Sequence, residues 1–381
     1  MATRRIFLQS AASTAAAWSS VSALAQPQTT SVPSERRVYL TGDGIPSTPS
    51  EYARLLTKVV DEQGTKADQY LAGGAVEELE HEFAKLLNKE KALFLPTGTL
   101  ANHLVVRELA GERKRVAVQM ESHLYCDESD CAETLSGLKL VPFGVGRASI
   151  PLNELNAVVD RSAGPPFPSP VGAISIESPV RRVDGAVVPF DEMKKICAYA
   201  REHHIGTHLD GARMFLASAY TGVSPAQYAA LFDTVYVSMY KYFNAPFGAI
   251  LAGPAPVMKR VGELRHQFGS MIFRGWEPAA LALHYYHGFA ERYQSAVGKG
   301  EAVLKLLEAS GKFKVERVPN GSNIATVRMV KGTSDMLQQK LAVSGIMMRG
   351  AKGAVDFRFQ VNETLNRRSA EEVAVEFAAA V

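Results

Sequence analysis

From residue 91 onward, short apolar runs of strand character alternate with segments of helical apolar spacing, and nothing else in the sequence constrains the fold as strongly. The strand-like runs cover 91–95, 115–119, 138–143, 173–177, 206–209, 234–239 and 249–252. Helical patterns lie between and around them at 100–109, 190–203 and 225–231, preceded by 49–61 and 76–87. This alternation predicts an α/β domain with a mostly parallel sheet. Further helical patterns at 256–267, 278–295 and 300–307 lead into a smaller unit with strand-like runs at 323–329 and 355–361 and a last helix from Ser369. The expected division is a leader over 1–25, a lead-in over 26–48, a large domain over 49–295 and a small C-terminal α/β domain over 296–381.

The leader rests on the first residues. Thr3-Arg4-Arg5-Ile6-Phe7-Leu8-Gln9 has the form of a twin-arginine export signal, an Ala-rich apolar stretch follows, and Ala23-Leu24-Ala25 supplies a small-x-small cleavage site. The mature chain is then expected to begin at Gln26, in the periplasm. No other stretch reaches the 18 apolar residues of a membrane span. The chain has 42 Lys and Arg against 39 Asp and Glu, and the leader holds two of those basic residues and no acid. So near-neutral a protein gives no electrostatic reason to expect a nucleic-acid or membrane-surface partner. Of the three cysteines, Cys126 and Cys131 could pair in an oxidising compartment, but buried thiols are the ordinary state and no zinc spacing is present.

Four groups of residues carry chemistry. Asp210 ends a strand-like run in His208-Leu209-Asp210-Gly211-Ala212-Arg213, at the strand end that faces the ligand crevice of such sheets. Lys241 ends the next run, in Val237-Ser238-Met239-Tyr240-Lys241. Pro96-Thr97-Gly98-Thr99 precedes a helix, whose start favours an anion. His123 follows the run at 115–119. Singly, each has an ordinary reading: a helix cap, an edge lysine, a plain N-cap, a structural histidine. Together they match the needs of an enzyme that uses pyridoxal phosphate. It requires a lysine to hold the aldehyde as a Schiff base, an acid opposite the ring nitrogen, an anion cradle for the phosphate and a planar group against the ring.

On these stretches the chain resembles the threonine aldolases, within the aromatic-amino-acid β-eliminating lyase group of the aspartate-aminotransferase fold (fold type I). Gly42-Asp43-Gly44, Val76-Glu77-Glu78-Leu79-Glu80, the run from Ala92 to Asn102, His208 to Arg213 and Tyr236 to Lys241 carry the likeness, which extends over roughly 40–377. The resemblance implies Lys241 as the Schiff-base lysine, Asp210 on the pyridine nitrogen, Arg213 on the cofactor, and Gly98 and Thr99 on the phosphate. It also implies His123 stacked on the ring as acid or base, Arg358 on the substrate carboxylate, and a homodimer or homotetramer with sites shared between subunits.

The sequence departs from the family on the substrate side. Glu177-Ser178-Pro179-Val180-Arg181-Arg182-Val183-Asp184-Gly185 replaces Glu-Asn-Thr-His-Asn and its glycines, and Tyr242, Phe243 and Asn244 stand where small residues follow the lysine. The bulky pair suggests a reshaped pocket mouth. The expected reaction is retro-aldol cleavage of a β-hydroxy amino acid to glycine and an aldehyde. Two rivals are β-elimination or racemisation on the same cofactor, and an exported binding protein of the same fold without turnover. The lack of the corresponding glycine patterns argues against a dinucleotide or Walker-type nucleotide enzyme.

Overall fold

The computed structural model describes residues 32–381, so the leader and the Gln26 cleavage point lie outside the described residues. Seven strands form the central sheet: β1 (Lys91–Leu95), β2 (Arg115–Gln119), β3 (Lys139–Phe143), β4 (Val171–Glu177), β5 (Gly206–Asp210), β6 (Thr234–Ser238) and β7 (Ala249–Gly253). Their order is β1-β7-β6-β5-β4-β2-β3, and only the pairings of β7 are antiparallel. Strands β4, β5 and β6 are almost wholly buried, as continuous apolar runs covered by helices on both faces require.

Two apolar clusters flank the sheet. Gly98–Ala110 and Ala255–Gln267 cover one face with Leu104, Val105, Val261 and Leu264. The other face packs beneath Gly74–Leu86, Phe190–Glu202 and Trp276–Tyr286, through Val76, Leu79, Ile196 and Leu281. Helix Pro49–Gln63 starts with a capping box of Thr48 and Glu51 and a proline at its first position.

The pattern read as one helix over 278–295 is two helices. Trp276–Tyr286 stops, Gly288 takes φ +69°, and a new helix runs unbroken over Phe289–Ala309. The expected boundary near 295 and the separate helix at 300–307 both fall inside this second helix. Arg292 bridges the break. Its guanidinium donates to the Tyr285 and His287 carbonyls and to Glu363, satisfying carbonyls left bare at the first helix's end.

A second, antiparallel sheet holds β8 (Phe313–Arg317), β9 (Ile324–Met329) and β10 (Asp356–Gln360), with β9 central. Strand alternation puts Phe357 and Phe359 into the core and turns Arg358, between them, to the opposite face. Near the N-terminus, Val38–Tyr39 pairs with Ile346–Met347, and Asn362 donates to the Gly42 and Gly44 carbonyls. The lead-in is thereby clamped against the C-terminal residues and delivered to the edge of the main sheet.

Candidate active site

The parallel strands β4, β5 and β6 end on one edge at Glu177, Asp210 and Ser238. A cleft of about 660 Å³ opens nearby, with Asp43, His123, Arg181, Arg213, Tyr240 and Lys241 on its walls. Three of the residues singled out in the sequence, His123, Arg213 and Lys241, therefore share one cavity. Lys241 is partly exposed there, its Nζ 3.3 Å from Tyr240 Oη and 4.6 Å above the Tyr240 ring centre. The chain after it is fixed by the lead-in. Gly44 passes so close to the Lys241 carbonyl that a Cβ would sit 2.2 Å from its oxygen, and the Ile45 amide donates to Asn244 Oδ1 at 2.6 Å.

Asp210 is buried beneath the cleft. Its carboxylate accepts from the Ala212 amide at 3.1 Å and from Asn102 Nδ2 at 2.8 Å. The same Asn102 nitrogen donates to Glu128 at 3.0 Å, so both amide hydrogens are used on carboxylates and its oxygen must accept. His208 Nε2 lies 3.1 Å from that oxygen and therefore carries a hydrogen, leaving Nδ1 to accept from Thr234 at 2.9 Å. Burial holds the His208 imidazole down to about 4, so it is neutral.

His123 starts a short helix just beyond β2. Its Nδ1 lies 3.0 Å from Glu128 Oε1, and since a carboxylate only accepts, Nδ1 carries the hydrogen and Nε2 holds the lone pair. That hydrogen bond raises the imidazole above its ordinary range, against the opposing effect of burial. Glu177 ties two loops together: one oxygen accepts from the His123 amide at 2.6 Å, the other from the Arg181 amide at 2.9 Å. Burial first, and then the Asp210 charge, push the Glu177 carboxyl up to about 7.

Other residues fall outside the cleft. Gly98 and Thr99 open helix Gly98–Ala110, with Thr97 Oγ1 accepting from Leu100; their own two amides have no acceptor among the described residues. Arg358 is mostly exposed and ion-paired with Asp184 at 2.5 Å, not on the cleft wall. The reshaped pocket mouth expected from Tyr242 and Phe243 is absent: both are buried, in an aromatic cluster with Phe83, Phe215 and Phe289. Aromatic surface of that size is held by the core. Cys126 and Cys131 are both free thiols. Sequence reasoning missed Asn102, Glu128, Glu177 and Arg181 as parts of this region. Glu128, five residues after His123, and Glu177, at the end of the run 173–177, left a local signal.

The donor set suits pyridoxal phosphate. Two unengaged helix-start amides match a phosphate, Asp210 is a buried carboxylate at the crevice edge, and Lys241 offers a primary amine on the cleft wall. Comparisons with known proteins point the same way. The model of the β-eliminating lyase family matches residues 59–347. The low specificity L-threonine aldolase of Saccharomyces cerevisiae is 29% identical over 293 residues, covering 76% of this chain and 74% of that one. The low-specificity L-threonine aldolase of Candida albicans is 29% identical over 209 residues, covering 54% of this chain and 55% of its own length. The solved structure of a candidate aromatic amino acid beta-eliminating lyase/threonine aldolase from Exiguobacterium superposes with a TM-score of 0.76 at 23% identity, over 91% of this chain and 98% of that one. Among the described residues no helix is long and apolar enough to cross a membrane. The family match spans well over half of the sequence, and the chain belongs to the β-eliminating lyase family, the pyridoxal phosphate-dependent lyases of this fold.

Proposed function

We propose that this chain cleaves a β-hydroxy amino acid to glycine and an aldehyde, as an exported enzyme. The observation that carries this reading is the convergence of Lys241, Arg213 and His123 on one cleft above the buried Asp210. When bound, pyridoxal phosphate supplies an electron sink conjugated to the substrate amine. Lys241 is the amine that would hold the cofactor, and the helix start at Gly98 and Thr99 would receive its phosphate. Asp210, oriented by Asn102, would serve the pyridine nitrogen and keep a proton there; Arg213, anchored on Asp43 at 2.9 Å, would help hold the cofactor from the cleft wall. His123 would lie against the ring and, through Nε2, take the proton of the β-hydroxyl. Its Glu128 partner fixes the tautomer and strengthens the base. Arg358 takes the substrate carboxylate once it leaves Asp184, a role its bidentate geometry suits.

The remaining parts of the reading are the export leader over 1–25, a large unit over 49–295 with a small unit over 296–381, and a homodimer or homotetramer. The test is the visible absorption of the purified mature protein before and after β-hydroxy amino acids, with glycine assayed as product. The expected result is a cofactor band that shifts on addition while glycine is released, and the loss of both in Lys241→Ala. A band that responds to amino acids without glycine would replace this reading with elimination or racemisation.

A further inference from the structure

We infer that Arg181 is a specificity-determining residue and that the preferred substrate carries a second anion, a carboxylate on Cβ, as in 3-hydroxyaspartate. This deepens the aldol-cleavage reading above and rests on it. Arg181 lies on the cleft wall with its side chain exposed, and its guanidinium makes no hydrogen bond or ion pair within the described residues. Its neighbours on the same loop are committed. Arg182 makes a bidentate pair with Asp127 at 2.7 and 3.1 Å, and Asp184 holds Arg358 until a substrate carboxylate takes it. Asp43, the single acid among the cleft-lining residues, is also committed: one oxygen takes Arg213 and the other takes Gln360. Lys241 is used in holding the cofactor. One guanidinium without an ion pair among the described residues is therefore left on the cleft wall, and its geometry suits a carboxylate.

Its position says which carboxylate. Glu177 binds the His123 and Arg181 amides on its two oxygens, which fixes Arg181 beside the group that takes the β-hydroxyl proton. A carboxylate on Cβ is bonded to the same carbon as that hydroxyl, and in this proposal it is the group that meets Arg181. The α-carboxylate is left to Arg358. Cleavage of such a substrate needs no oxidant or reductant. The hydroxyl O–H bond breaks and its electrons form the carbonyl of glyoxylate. The Cα–Cβ pair stays on Cα, where one added proton completes glycine.

The experiment compares kcat/KM for glycine release from 3-hydroxyaspartate and from threonine, in the wild type, Arg181→Ala and Arg181→Lys. In parallel, calorimetry measures binding of malate, which keeps the hydroxyl between two carboxylates but has no amine to react. The wild type is expected to favour 3-hydroxyaspartate. In Arg181→Ala the ratio of the two kcat/KM values should fall roughly 10- to 100-fold, chiefly through KM, with a similar loss in malate affinity. Arg181→Lys should recover part of both. Equal losses on the two substrates would assign Arg181 to the α-carboxylate and overturn the inference, as would an unchanged ratio. Malate binding that depends on Arg181, with no glycine from either substrate, would instead overturn the aldol reading while upholding recognition of a second anion.

Discussion

At the residue scale the site depends on a few close approaches and on one shared proton network. Gly44→Ala would drive a Cβ into the Lys241 carbonyl and Asn244 Oδ1, at 2.2 and 2.6 Å. The backbone carrying the lysine must shift, so we expect a loss of about 1–3 kcal/mol by denaturant unfolding and weaker cofactor binding by absorbance titration. His123 has a defined pH signature. Its hydrogen bond to Glu128 raises the folded-state value above the ordinary 6.5. The contribution of His123 to this pair is therefore full below about pH 6.5, where Glu128, itself raised by burial, stays ionised, and is lost as pH rises through the raised value. Glu128→Gln should remove that loss from the stability–pH curve. It should also move the basic ionisation of His123, followed by NMR, downward. A curve and titration like the wild type's would show that Glu128 does not set the imidazole. These residues also mark what could be read early. Lys241 and Asp210 stood out because each closes a strand-like run, and His123 because it follows one. Arg181 did not, because its meaning comes from its neighbours' ion pairs and not from its own segment.

At the scale of elements, the strands were legible because each is a short, continuous apolar run bounded by turn residues, as buried parallel strands must be. Runs such as Lys91–Leu95 and Arg115–Gln119 coincide with the structure, and helix Pro225–Leu231 does too, helped by its Ser224 and Gln227 capping box. The break at Gly288 was not legible, since the apolar spacing of both helices continues through it. What enforces the break is Arg292, which caps the first helix and pairs with Glu363 at 2.7 Å. Arg292→Ala would leave Glu363, 8% exposed, without its cation and the Tyr285 and His287 carbonyls without their donor. We expect a destabilisation of about 2 kcal/mol, below the full cost of breaking a buried pair because Arg292 is itself partly exposed, read as a lower denaturant midpoint.

At the scale of the whole molecule, the cofactor reading has a stability consequence. A ligand that binds only the folded chain stabilises it by about 2.7 kcal/mol at a hundred times its dissociation constant. Pyridoxal phosphate should therefore raise the Tm of the cofactor-free protein, and Lys241→Ala should reduce that rise; no rise in either protein would count against the cofactor assignment. The export leader is checked by intact mass, where a mature chain starting at Gln26 is expected and an unprocessed Met1 would refute it. By itself, the sequence determined the α/β class and the strand sequence, and it picked out the lysine, acid and helix-start residues as candidates, because these follow from local periodicity and from side-chain types at strand ends. The tertiary structure decided the rest. It drew Tyr242 and Phe243 into an aromatic core, turned Arg358 outward onto Asp184, and joined His123 to Asp210 through Glu128 and Asn102. Each depends on which distant groups share a buried space, where ion pairs and hydrogen bonds must be satisfied, and local patterning carries no record of those partners.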